Sequence, residues 1–404
     1  AVSWEKSGIP AFNAGIAGQD RDSAYFFLKE FLKKQSPKVV VMAGMLFQND
    51  HYEVQGNVYR NTLSMRNSKN FIDAVNAVVP ENDKTGTNTL WDYYLRWPII
   101  HSRYKEIEKW DFTDQYRYAK SLGYQYAYEG AGDTPDAMIF DTEIVNEISA
   151  ENKEWVDKLL KLAGEEGFEL LFVQLPGYLG SGQRADLNGC FKYLDEVGVK
   201  HIDFNLCAEE MLFDYVDDMS DGHHAKTSGA EKISEYLSNY LCENFTLEDK
   251  RGAEGYGLFD EAVEVKKHEK LSRKLANCGD LASLFENIDD GEDLVYSVSL
   301  KSGSKGLPED KESILKMYLP SRDIWYSGGT TVVVDGLATE VLGGKAFSHK
   351  LSNSEYLYVN PVITEDGHAD DVQFGSVLYT SESGNYIIVY DSVLGGVVTI
   401  REIN

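Results

Sequence analysis

Apolar residues in the first 245 or so positions switch between two periods, and the switching predicts an α/β arrangement. Between about Asp20 and Gln35, the residues Ala24, Phe27, Leu28, Phe31 and Leu32 recur at helical spacing. Pro37 ends that helix, and Lys38-Val39-Val40-Val41-Met42-Ala43 reads as a buried strand. The apolar run around this strand extends from Val39 to Phe47. The alternation returns after residue 150. A helix is predicted over about 151–166 (Val156, Leu159, Leu160, Ala163), then a strand from Glu169 to Leu175 closed by Pro176-Gly177. Another helix follows over about 184–197, and Lys200 to Phe204 reads as a short strand. Ahead of these, Ala11 to Gly15 reads as a short strand running into a glycine turn. Ser228 and Glu231 have the spacing of a capping box, and Ile233, Tyr236, Leu237, Tyr240 and Leu241 form the apolar face of the helix it opens. Strands separated by helices predict a parallel sheet covered on both faces.

Residues from about 45 to 150 interrupt the pattern. They are rich in Tyr and Trp, carry helical fragments around Phe71 and from Trp91 to Tyr104, and read as an insertion within a domain spanning 1–245. Residues 246–290 read as a charged helical linker. From about 291 short strand-like runs take over, among them Val295 to Leu300, Thr331 to Val334, Tyr356 to Val359, Tyr386 to Tyr390 and Val397 to Ile400. Gly, Asn, Asp and Ser fill the gaps, which predicts a second, mostly β domain of the sandwich kind over 291–404.

At 404 residues with 43% hydrophobic content, the chain is long enough for two cores. The net charge of −27 argues against nucleic acid as a partner, because that needs basic stripes. No apolar run approaches the roughly 20 residues of a membrane span. Four scattered cysteines (Cys190, Cys207, Cys242, Cys278) form no CxxC pair, which argues against a zinc or redox site and leaves free thiols or one disulfide open. Trp4 to Asn13 already reads as the middle of a domain. The natural protein is therefore expected to continue upstream, where a signal or membrane tether would lie.

The segment Asp221-Gly222-His223-His224 carries the clearest candidate chemistry. A carboxylate three residues before an imidazole, in a loop opening a helix, can orient that imidazole as a base for a nucleophile from elsewhere in the fold. Two other readings stand beside it. The pair can simply decorate a helix N-terminus, or it can join Asp217, Asp218 and His223 around a divalent metal. Asp217-x-x-x-Asp221-Gly222 lacks the downstream Glu of a calcium loop. His101 and Arg103, after the aromatic run Trp91, Tyr93, Tyr94, Trp97, are candidates for a substrate cleft, against the plainer reading of core packing.

Asn13-Ala14-Gly15-Ile16-Ala17-Gly18-Gln19 resembles the second conserved block of SGNH (GDSL-like) hydrolases, and Asp221-x-x-His224 resembles their last block. The order of block, helix, buried strand and Asp-x-x-His loop before a final helix also agrees. More narrowly, residues 4–245 are similar to extracytoplasmic SGNH-like proteins of Gram-positive bacteria, distant relatives of proteins of teichoic-acid D-alanylation and polysaccharide O-acetylation. Trp4 to Pro10, Trp97 to Tyr104 and Gly229 to Lys232 are the supporting segments. The resemblance implies a flavodoxin-like three-layer fold. It also implies His224 as general base, Asp221 as its orienting partner and the Gly18 amide as an oxyanion donor. Losing one such donor costs about a hundred- to a thousandfold in rate.

Two departures from the family pattern matter. The family nucleophile is a Ser ahead of the second block, yet no Gly-x-Ser precedes Asn13, so the Ser is expected upstream of Ala1 or not at all. In the third block, Gly44-Met45-Leu46 puts Leu where Asn belongs, and Asn49 is the remaining candidate for a second oxyanion donor. The implied function is an extracytoplasmic esterase or O-acyltransferase, at the cell surface or membrane-anchored. Its partner would be an acylated cell-envelope glycan or glycolipid, with no metal or organic cofactor. The alternative is an inactive binding or assembly protein whose β module recognises carbohydrate or protein.

Overall fold

The computed structural model describes residues 3–47, 61, 62, 64–79, 89–96, 121–130, 132, 140–289 and, with short breaks, 291–403. The chain divides into two compact units, Ala1–Phe259 and Asp260–Asn404.

The first unit is built on a parallel sheet of β1 (Val39–Ala43), β2 (Glu169–Gln174) and β3 (Lys200–Asp203), in that spatial order. Val39 to Ala43 pair in register with Glu169 to Val173, and Leu171 to Gln174 pair with Lys200 to Asp203. Side chains of β2 alternate between two cores. Leu170 and Phe172 pack with α2 (Arg21–Leu32), α5 (Ala150–Glu166) and α6 (Ser181–Glu196), following α1 (Trp4–Ser7), α3 (Lys69–Val78) and α4 (Leu90–Leu95) in the numbering. Leu171 and Val173 face the other way, onto Ile233, Leu237 and Leu241 of α7 (Thr227–Asn244). Each fully buried side chain of this kind stabilises the unit by roughly 1.5–3 kcal/mol. The predicted two-sided covering of a parallel sheet is therefore present in three layers.

Local chemistry sets the helix starts. Asp20 caps α2 by accepting from the Ser23 amide at 2.7 Å, and the Ser23 hydroxyl answers to the Asp20 amide. The start of α7 differs from the sequence expectation. Its N-cap is Lys226, without a side-chain cap, and no Ser228–Glu231 box forms. The Ser228 hydroxyl bonds the Asp218 carboxylate instead. Thr227 takes over at the end of the helix, its N–H donating to Ala127 O at 2.6 Å.

Two strand expectations also change. Ala11 to Gly15 joins no ladder, because Asn13 spends its hydrogen bonds on the loop at 122–123 and on the Gly15 amide. β1 is only partly buried, with Val41 at 37% exposure, and the run to Phe47 continues as a 3₁₀ turn over Gly44–Phe47. In the interrupting region, α3 and α4 form a small core of Phe71, Ala74, Val75, Val78 and Tyr93 against Phe26 and Phe27. Tyr93 is thus core, whereas Trp91 is 69% exposed.

The expected linker over 246–290 is divided. Residues up to Phe259 belong to the first unit. The following helices, α8 (Gly257–Ala276) and α9 (Leu281–Asp289), put Leu275, Leu281, Leu284 and Phe285 into the core of the second. That unit has a five-stranded antiparallel sheet at its centre: β14 (Gly396–Glu402), β13 (Tyr386–Asp391), β4 (Leu294–Leu300), β5 (Gly329–Val334) and β6 (Leu337–Val341). A second sheet follows the order β12 (Val377–Thr380), β11 (Asp371–Phe374), β8 (Tyr356–Asn360), β7 (Phe347–Lys350). A two-stranded hairpin, β9 (Ile363–Thr364) and β10 (Gly367–His368), completes the strands.

Tyr296, Val298 and Ile387 face helices, including α10 (Glu309–Tyr318) and α11 (Ile324–Ser327). Val295, Val332 and Ile388 face Leu357, Val359 and Phe374 of the second sheet. β4 and β5 are accordingly buried along their whole length.

Candidate active site

The loop from Met219 to Lys226 is folded by its own backbone. Met219 and Ala225 form an antiparallel bridge, and the Ser220 N–H and hydroxyl both donate to the His224 carbonyl, at 2.7 and 2.9 Å. Asp221 stands at the tip and accepts the amides of His223 and His224 through Oδ1, at 2.7 and 2.8 Å. Its Oδ2 lies 2.8 Å from His224 Nδ1. Burial pushes the Asp221 carboxyl up, but the His223 amide, the imidazole and the His224 amide outweigh it and hold the group below the usual carboxylate range. An ionised carboxylate on Nδ1 keeps the proton there and leaves Nε2 as the basic nitrogen. The His224 side chain is 77% exposed, and among the described residues none hydrogen-bonds Nε2.

This loop lies at the carboxyl ends of the strands. The Tyr178 amide, just past β2, donates to Gly222 O at 2.8 Å. Gly177 approaches so closely that a Cβ there would stand 3.3 Å from the same oxygen. The Gly177 amide donates to Asn205 Oδ1 at 3.0 Å, and the Tyr215 hydroxyl donates to that oxygen at 3.1 Å. Asn205 follows β3, and its amide donates to Asp203 Oδ1 at 3.0 Å. Asp203 in turn pairs with Arg184 of α6, the two side chains being 4% and 1% exposed. A continuous relay therefore runs from α6 through the end of β3 to the Asp221–His224 loop. Two buried polar atoms at this rim, Asn205 Nδ2 and Gln174 Oε1, have no hydrogen-bond partner among the described residues.

Gly18 occupies a turn with φ 68°, closed by the Gln19 amide on Ile16 O at 3.1 Å. Asn61 Nδ2 holds the Gly18 carbonyl at 2.9 Å, and among the described residues none accepts the Gly18 N–H. A connector ties this block to the Asp221–His224 loop. Asn13 grips Leu122 and Gly123, while Ala127 bonds both the amide and hydroxyl of Thr227. From Gly123 to Ala127 the chain spans at most about 14 Å. Both candidate loops therefore meet the same short stretch of backbone.

Several candidates separate from the pair. Asp218 turns inward, 3% exposed, to Lys232 Nζ at 2.6 Å and the Asp214 amide at 2.8 Å. Among the described residues no three His, Cys, Asp or Glu side chains converge to hold a metal ion. His223 meets the Tyr178 ring edge-on at 6.4 Å between centroids. Leu46, where the sequence resemblance led one to expect an Asn, is buried in the core between the sheet and α5. The four cysteines are unbridged. Asn49, His101 and Arg103 lie outside the described residues, as does Trp97. Arg184, Asp203 and Asn205 were not among the sequence candidates. The signal for Asn205 was its place just beyond a strand end, where open α/β sheets put their sites.

No family model, curated protein or solved structure matches this chain.

Proposed function

We propose that the first unit is an SGNH-like esterase or O-acyltransferase that acts on acyl esters of a cell-envelope glycan or glycolipid outside the cytoplasm. The observation that carries this reading is the Asp221–His224 pair: a 2.8 Å Nδ1–Oδ2 contact, an accessible Nε2, and a position at the carboxyl rim of a parallel sheet. In this reading His224 Nε2 takes the proton from a serine hydroxyl as it attacks the acyl carbonyl. Asp221 stabilises the imidazolium, and the free Gly18 amide receives the developing oxyanion. Among the described residues no strand pairs with the outer edge of β1, and we assign the serine-bearing strand to that edge.

One observation favours the alternative of an inactive binding or assembly protein. The position that should supply the second oxyanion donor is a core leucine, Leu46.

The full-length protein assayed on acetyl and longer acyl nitrophenyl esters separates the two. His224→Ala is expected to lower kcat/KM by about a hundred- to ten-thousandfold. Activity unaffected by that change removes His224 as the base. Failure of a fluorophosphonate probe to label the full-length protein favours the binding reading.

A further inference from the structure

The second unit holds a polar cleft with no counterpart in the chemistry assigned to His224. Its volume is about 360 Å³, within the range of small-molecule sites. It opens at one end of the stacked sheets, where four connections meet. These are the approach to β4 (Asp293), the β5–β6 hairpin (Asp335), the end of β7 with its following turn (His349, Lys350, Ser354), and the turn after β13 (Ser392).

Half of the lining is polar and unpaired within the protein. The side chains of Asp335, His349, Lys350, Ser354 and Ser392 make no hydrogen bond or ion pair with the described residues. Ser392 is 4% exposed as a whole residue and lines the cleft, and among the described residues its hydroxyl has no partner. The wall behind it is firm. The Ser392 amide donates to Asp293 O at 3.0 Å, and neighbouring Asp391 is held by His268 and by the amides of Val393 and Leu394. Val295 and Val334 supply an apolar patch beside these polar groups.

We infer that this cleft binds a monosaccharide unit, neutral or amine-bearing, through its hydroxyl groups. Two carboxylates accept from sugar hydroxyls or an amine, Ser392 and Ser354 both donate and accept, and the valines cover the apolar face of the ring. The formal charge of Asp293, Asp335 and Lys350 together is negative, so phosphorylated and uronic sugars are repelled. A metal-dependent sugar site is a different design, and the acidic groups do not converge on a metal position among the described residues.

The test is calorimetric or NMR titration of the whole chain with glucose, glucosamine, N-acetylglucosamine and glucose 6-phosphate. A ligand of about twelve heavy atoms at ordinary efficiency binds with a Kd of about 1 mM. At least one of the first three is expected to bind at that level, and the phosphate at least tenfold more weakly. Asp335→Asn keeps a residue that tolerates the positive φ of 50° there, so the hairpin survives. This variant and Ser392→Ala are each expected to weaken binding at least fivefold with an unchanged thermal transition. Binding unaltered in both variants, tighter binding of the phosphate, or no binding by any of the sugars overturns the inference. Esterase activity of the His224→Ala protein is irrelevant to all of these outcomes.

Discussion

Replacing Arg184 by Met tests the relay that holds the Asp221–His224 loop. Arg184 and Asp203 are almost completely buried, and among the described residues the guanidinium is the only cation on that carboxylate. Without it, Asp203 keeps one hydrogen bond, from the Asn205 amide at 3.0 Å. Breaking a buried pair from one side costs about 3–5 kcal/mol, because the remaining charge is desolvated and uncompensated. The double change Arg184→Met with Asp203→Asn removes that charge and keeps an acceptor for the Asn205 amide. Its cost falls to about 1–2 kcal/mol, the order of one or two lost hydrogen bonds. Amide exchange at Leu171, Phe172 and Val173 reports on the sheet of the first unit without assuming that the whole chain unfolds together. Exchange there is expected to accelerate by about a hundredfold or more in the single variant and by about tenfold in the double. Equal acceleration in both would show that the buried charge is not what the guanidinium neutralises.

Three further outcomes follow from the same contacts. Asn205→Ala takes the acceptor from the Gly177 amide and leaves the Tyr215 hydroxyl only its longer contact to the backbone carbonyl of residue 205 at 3.4 Å, at about 1–3 kcal/mol in all, whereas Asn205→Asp retains the side-chain acceptor; thermal melting should rank wild type, Asp, Ala. Gly229→Ala places a Cβ 2.5 Å from Asp218 O and 2.9 Å from the Phe213 ring, so despite its better helix propensity it should lower stability by about 1–3 kcal/mol in urea melts. His268 is raised above its ordinary value, first by its hydrogen bond to Asp391, with burial opposing. Its contribution is therefore complete below about pH 6.5 and is lost as pH climbs through the higher folded value. Melting of the second unit should fall over that interval in wild type and stay flatter in His268→Gln.

Much of the first unit was legible because two periods were strong. The Leu170–Val173 run faces two cores, and α2, α5, α6 and β3 lie within a few residues of their predicted positions. Other features depend on partners distant in the chain. Ser228 had the spacing of a cap, but a carboxylate ten residues earlier captured its hydroxyl. Asn13 sat in an apolar stretch, yet Leu122 and Gly123 drew its hydrogen bonds away from any ladder. The charge of the 246–290 stretch hid the apolar face of α9, which only the sheet beneath it reveals. Asp221 and His224 were readable because three residues suffice to bring them together. Asn205 was not, since its role comes from Gly177 and Tyr215 meeting on one oxygen.

The order of the five-stranded sheet has a consequence for how the polypeptide is made. β4 is flanked on one side by β5, soon after it, and on the other by β13, which begins only at Tyr386. During synthesis the apolar residues of α9 and β4 emerge long before the strand that completes their layer. Late closure of this kind slows folding and leaves sticky surface waiting on the ribosome. Stopping translation before β13 would therefore yield a chain prone to capture by chaperones or to aggregation, not a shorter but sound domain.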